Sequence, residues 1–168
     1  TAKLQIKTGT NKNIAFQTGT TDSSGIKINA FNDAANANIP LELNGSVLLL
    51  KTGETERARL DSSGTFMVAK TSASSNSVGF ETSSTGNTAI TRSGGQPLLL
   101  NRQASDGDII LFRKDGTAVG NIGVKTDDLY IGTGDTALRF FDGSDFIYPV
   151  STATGISRDN AIDLGYSS

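Results

Sequence analysis

Residues 51–70, KTGETERARLDSSGTFMVAK, constrain the fold most strongly, because alternating apolar and charged positions on both sides of a reversal admit a β-hairpin and little else. Ala58 and Leu60 share one face while Arg57 and Arg59 point the other way. Phe66 and Val68 continue the apolar row once Asp61-Ser62-Ser63-Gly64 has turned the chain. Gly64 takes positive φ without steric cost, and the Asp61 carboxylate is suited to bond the turn backbone. The same grammar returns between Ile110 and Val124, turning at Asp115-Gly116, and between Leu138 and Tyr148, turning at Asp142-Gly143. The chain is predicted to be a succession of short β-hairpins.

Alternation also predicts strands over residues 3–7, 13–17 and 26–31, with an Asn-rich loop at 32–38. Asn44-Gly45, between apolar residues 41–43 and 47–50, predicts a two-residue hairpin turn. Val47-Leu48-Leu49-Leu50 is apolar on both faces, so a second layer or a neighbouring chain is expected to bury it from both sides. Residues 71–88 are rich in Ser and Thr, but strand-like triplets interrupt them, and a boundary is expected there rather than a tether. The expected division is residues 1–74, an N-terminal β-repeat unit, and 75–168, a second unit with an aromatic-rich tip. Gln96–Asn101 (QPLLLN) parallels the earlier triple-leucine run. No window sustains a 3.6-residue period, so the fold class is all-β.

Composition sharpens this reading. Only 36% of residues are hydrophobic, yet the charged fraction of 19% and net charge of −2 are too low for a solvated disordered chain. Basic residues are scattered singly, which argues against nucleic acid, and no apolar run is long enough for membrane insertion. Each hairpin offers two to four large side chains, worth roughly 1.5–3 kcal/mol apiece, against an ordering cost of about 1–2 kcal/mol per residue. A lone hairpin of this kind is unstable. Stacked repeats and association of three chains would give every apolar row a partner, so an elongated, intertwined homotrimer is expected, of fibre, β-prism or triple-β-helix type.

The chemistry available is narrow. The chain has no histidine and no cysteine, which removes imidazole bases, His triads, thiolate nucleophiles and disulfides. Carboxylates come in couples, Asp106 with Asp108, Asp127 with Asp128 and Asp142 with Asp145, a prerequisite for glycoside hydrolysis. The first and last couples adjoin a turn glycine and all three read as turn positions, where Asp is expected for backbone bonding, so no catalytic residue, metal site or cofactor is assigned and no enzyme activity is expected. Gly132-Thr133-Gly134 has no following helix and reads as a turn. Aromatic residues concentrate in the last third, and the adjacent rings of Phe140 and Phe141 must point to opposite faces. Tyr130, Arg139, Phe141, Asp142, Asp145 and Tyr148 are the candidates for binding a glycan or protein receptor, the alternative being that the rings pack between chains.

GETERARLDSSG, ending at Gly64, and RDNAIDLG, beginning at Arg158, resemble segments of bacteriophage tail fibres and tailspikes, particularly those with a C-terminal self-cleaving intramolecular chaperone. The resemblance implies a homotrimer, located extracellularly on the virion tail, that contacts other virion tail proteins and a host cell-surface glycan or protein. It also implies that the second segment leads into the chaperone, which either maturation removes or the sequence stops short of. The expected function is a structural and host-attachment segment of a tail fibre or tailspike. Alternatives are a capsule or lipopolysaccharide depolymerase tailspike, or a trimeric bacterial surface adhesin.

Overall fold

A computed structural model describes residues 4–19, 25–158 and 161–162. Among these the secondary structure is β throughout, apart from one three-residue 3-10 turn, and no helix is long and apolar enough to cross a membrane. The chain divides into two units, residues 1–95 and 96–168.

The first unit holds two antiparallel sheets. Strands β1 (Leu4–Gly9), β2 (Lys12–Thr18) and β3 (Ile26–Phe31) form a three-stranded meander. Its polar anchor is Asn13, buried on β2, whose Nδ2 donates to Phe31 O at 3.2 Å and to Asp33 Oδ1 at 2.9 Å. Lys7 pairs with the other Asp33 oxygen at 2.8 Å, and hydrogen bonds from Lys7 and then Asn13 hold the Asp33 carboxyl down at about 2. Strands β4 (Leu48–Thr52), β5 (Thr55–Leu60), β6 (Phe66–Val68), β7 (Gly79–Thr82) and β8 (Thr88–Thr91) form the second sheet, each beside its neighbour in sequence.

The second unit is one five-stranded meander of β9 (Gly107–Lys114), β10 (Thr117–Lys125), β11 (Asp128–Thr133), β12 (Thr136–Phe141) and β13 (Phe146–Val150). The 3-10 turn Asp142–Ser144 joins the last two strands. Tyr130, Ala137 and Val150 form its buried core, with Tyr148 packed against them. A glycine makes room for that core: a Cβ at Gly123 would lie 2.5 Å from the Tyr130 hydroxyl, so the Tyr130 ring lies flat across β10 only because residue 123 has no side chain.

Turn chemistry is realised where it was read from Asp and Gly. Between β5 and β6, Asp61 Oδ1 accepts from the backbone N–H of Ser63 and of Thr65, each at 2.9 Å, and Gly64 adopts φ +77°. Asp115-Gly116 joins β9 to β10. Gly132 and Thr133, read as part of a turn, instead end β11, and the turn to β12 is Gly134-Asp135. Register places Ala58 opposite Val68 and Leu60 opposite Phe66, as the alternation required.

Several expectations are corrected. Asn44-Gly45 does not form a hairpin: residues 41–45 join no ladder, because β4 is an edge strand whose one neighbour is β5, reached through Gly53-Glu54. Leu98–Leu100 is not a counterpart of β4 but an exposed, unpaired run, preceded by Pro97, which supplies no backbone N–H to a ladder. The boundary expected at 74/75 falls inside a sheet, since β6 and β7 pair across it, Phe66 opposite Thr82; the division lies after Gly95. The leucines of β4 are not buried from both sides within the chain, Leu49 and Leu50 being 49% and 63% exposed. Of the Arg158–Gly165 segment, only Arg158, Ala161 and Ile162 lie among the described residues; Lys3 and Tyr166 lie outside them.

The Asp61 turn yields a direct test. Asp61→Ala leaves two turn N–H groups without their acceptor and is expected to lower unfolding free energy by about 1–3 kcal/mol, with Asp61→Asn retaining most of it. Denaturant midpoints of the three proteins measure this, and an alanine variant equal to the parent would mean the carboxylate does not hold the turn.

Candidate functional site: the end of the β12–β13 hairpin

Strand parity decides where each candidate side chain points. Across the β12–β13 ladder, Arg139 faces Tyr148 and Phe141 faces Phe146, so these four share one face, while Phe140 and Ile147 share the other. Phe141 and Phe146 have ring centroids 5.1 Å apart, Phe146 and Tyr148 5.3 Å, and Phe141 and Tyr148 6.4 Å with nearly perpendicular planes. Arg139 closes the cluster, its Cζ 5.5 Å from the Phe141 centroid and 6.0 Å from that of Tyr148.

The guanidinium is fixed from behind. Arg139 Nη2 and Nε donate to Asp128 Oδ2 at 2.6 and 3.0 Å, and both side chains are almost wholly buried. Burial pushes the Asp128 carboxyl up, but the bonds from Arg139 and from both the backbone and the side chain of Asp142 outweigh it and hold the carboxyl below its ordinary range. Asp128 therefore ties the start of β11 to both β12 and the 3-10 turn. At the hairpin end, Phe140, Phe141, Asp142, Asp145, Phe146 and Ile147 line a shallow cleft of about 450 Å³. Asp145 sits at φ +57°, the left-handed residue that lets the chain re-enter β13.

The six candidates therefore divide by role. Phe141, Asp142 and Asp145 line the cleft, and Tyr148 supports it from within the ring cluster. Arg139 is interior, a positioning residue beneath the rings. Tyr130 is only 4% exposed and donates its hydroxyl to Asp108 Oδ1 at 2.8 Å, so it offers no plane to a ligand. Phe146, Phe140 and Ile147 belong to the cleft and escaped the sequence reading. The available signal was parity across a four-residue turn, which sets Phe146 opposite Phe141.

The Asp couples have structural partners. Asp106 Oδ1 accepts from the Thr126 N–H at 3.0 Å, and Asp108 Oδ1 accepts from Asn121 Nδ2 at 2.6 Å as well as from Tyr130. No group of three or more acidic side chains converges at metal-binding spacing among the described residues. A second cleft, of about 720 Å³, lies in the first unit between the β1–β2 turn and residues 39–42, and it has no aromatic lining. No known protein family, curated protein or solved structure matches the chain.

Tyr130 gives a pH prediction. Burial, then the hydrogen bond to the Asp108 carboxylate, pushes its hydroxyl up to about 12. A raised value means the folded state holds this proton more tightly, so its contribution is complete below pH ~10, the unperturbed value, and is lost as pH rises through about 12. In a protein carrying Tyr148→Phe and Tyr166→Phe, the remaining phenol should ionise near pH 12 by ultraviolet absorbance, and Tyr130→Phe should flatten the alkaline loss of stability. Ionisation near pH 10 in the folded protein would contradict the burial of this hydroxyl.

Proposed function

We propose that the chain is a structural and host-attachment segment of a viral tail fibre or tailspike, assembled as a homotrimer, which offers the end of its β12–β13 hairpin to a glycan or protein on a bacterial surface. The observation that carries this reading is the cleft formed by Phe141 and Phe146 with Asp142 and Asp145 at its edge. Aromatic faces stack on the apolar C–H faces of sugars, and the Asp145 carboxylate at the rim accepts hydrogen bonds from hydroxyls. The Asp128–Arg139 pair below holds the platform in one geometry, so little ordering remains to be done on binding.

Attachment is favoured over depolymerisation by the state of the carboxylates. Hydrolysis requires two carboxyls free to act across one glycosidic bond. Asp106, Asp108 and Asp128 are each engaged by the fold, and Asp142 bonds Asp128 through both its backbone and its side chain.

Replacing both Phe141 and Phe146 with Ala should weaken retention on a panel of bacterial capsules and lipopolysaccharides at least tenfold, about 1.4 kcal/mol, with oligomeric state unchanged. Retention equal to the parent's on every polysaccharide it recognises would place recognition elsewhere, and loss of assembly would assign the rings to an interface between chains.

A further inference from the structure

The register of the β4–β8 sheet sorts its side chains into two unlike faces. On one, Leu50, Ala58, Val68, Phe80 and Ile90 lie directly opposite one another in turn, an unbroken apolar row across all five strands. Leu48, Leu60 and Phe66 form a second row beside it, continued by Thr82 and Thr88. Neither row contains a charge. Strands about 4.8 Å apart make this a stripe roughly 19 Å wide. Leu50, Leu60, Phe66, Val68 and Ile90 are all exposed.

The opposite face is closed by the chain itself. There the row is Leu49, Arg59, Met67, Glu81 and Ala89. Met67 is 1% exposed, and residues 70–77 fold back over this side, with the Ser74 N–H donating to Glu81 Oε2 at 2.8 Å and Lys70 pairing with the same carboxylate at 2.9 Å. The sheet thus carries its charges and its own cover on one side and its uncovered apolar side chains on the other.

The uncovered side chains are large: Leu50, Leu60, Phe66, Val68 and Ile90 each leave more than a third of their surface open, on rows that carry no charge. In the β9–β13 sheet Ile110, Ile122, Ile131, Leu138 and Pro149 are aligned in the same way across the five strands, with Ile131 and its strand neighbour Leu129 exposed and Pro149 buried. A neutral, aliphatic stripe is complementary to another like it, and each copy of this chain brings two.

We infer that the Leu50–Ile90 face of the β4–β8 sheet is the surface through which copies of this chain associate, packing against the same face of other copies, while the Leu49–Met67–Glu81 face keeps the cover that residues 70–77 give it. The inference rests on the self-assembly contained in the reading above and not on its receptor.

Adjacent leucines on β4 supply the test, since Leu49 and Leu50 are both exposed but point to opposite faces. By sedimentation at micromolar concentration the parent should be a multiple of the 17.5 kDa chain, Leu49→Asp should keep that state, and Leu50→Asp should fall to monomer. Because Leu50→Asp is also open to misfolding, the second arm uses the absence of cysteine in the chain. Val68→Cys, at the middle of the row, should give covalent multimers with a short bismaleimide, whereas Leu49→Cys should not. A monomeric parent, dissociation by Leu49→Asp with Leu50→Asp unaffected, or cross-linking at Leu49 in place of Val68 would each overturn the inference. Failure of every glycan to bind would remove the attachment reading and leave these results untouched; glycan binding by a multimer that tolerates Leu50→Asp without cross-linking at Val68 would do the reverse.

Discussion

A β-sheet has two faces, and a single layer of short strands cannot hide both. Everything else in this protein follows from how the second face is managed. In the β4–β8 sheet a returning loop and the Lys70–Glu81 pair cover one side. In the β9–β13 sheet the covered side is built from small and flat-lying residues, Gly123 and Ala137 with the Tyr130 ring, locked by Arg139 on Asp128. The remaining faces are left aliphatic. Buried hydrophobic residues among those described are few, and Ala15, Ala58 and Ala137 are among them, so the interior within one chain is shallow. Such a sheet leaves large apolar side chains uncovered on one face, Leu50, Phe66 and Ile90 among them.

Local chemistry was readable from the sequence wherever a single turn decides the outcome. Asp61 and Gly64 specify their own reversal, and β3 has the bounds that alternation assigned. Partner choice was not readable. Asn44-Gly45 permits a hairpin but does not compel one, because forming it requires β4 to take a second neighbour and residues 41–43 to serve as a strand. The triple-leucine runs show the same limit: Leu48–Leu50 pairs with β5, while Leu98–Leu100, equally apolar, has Pro97 in front of it and no ladder. Apolar content says that a segment wants burial, and only register says against what.

The rings read from the sequence gather at one hairpin, while the membership of the cleft was only partly legible. The crowding of rings after residue 137 falls on the β12–β13 hairpin, and Phe140 and Phe141 do face opposite ways. Tyr130 and Arg139 were misjudged for a physical reason, since a polar tip is compatible with burial when a carboxylate waits inside, Asp108 for one and Asp128 for the other. Those carboxylates looked like ordinary turn residues in sequence. Their second role depends on strands more than ten residues away.

The Asp128–Arg139 pair also bears on how the chain finds its register. Sliding β12 by one residue along β11 would carry Arg139 to the aliphatic face and strand a carboxylate without its counter-charge, a state far costlier than a mispacked leucine. The stripes of interchangeable Ile, Leu and Val discriminate weakly between slipped arrangements, since any aliphatic neighbour satisfies them. One ion pair thus acts as a proofreading device for a sheet whose hydrophobic contacts are nearly degenerate. A one-residue insertion at Gly134-Asp135, harmless in most loops, would defeat it.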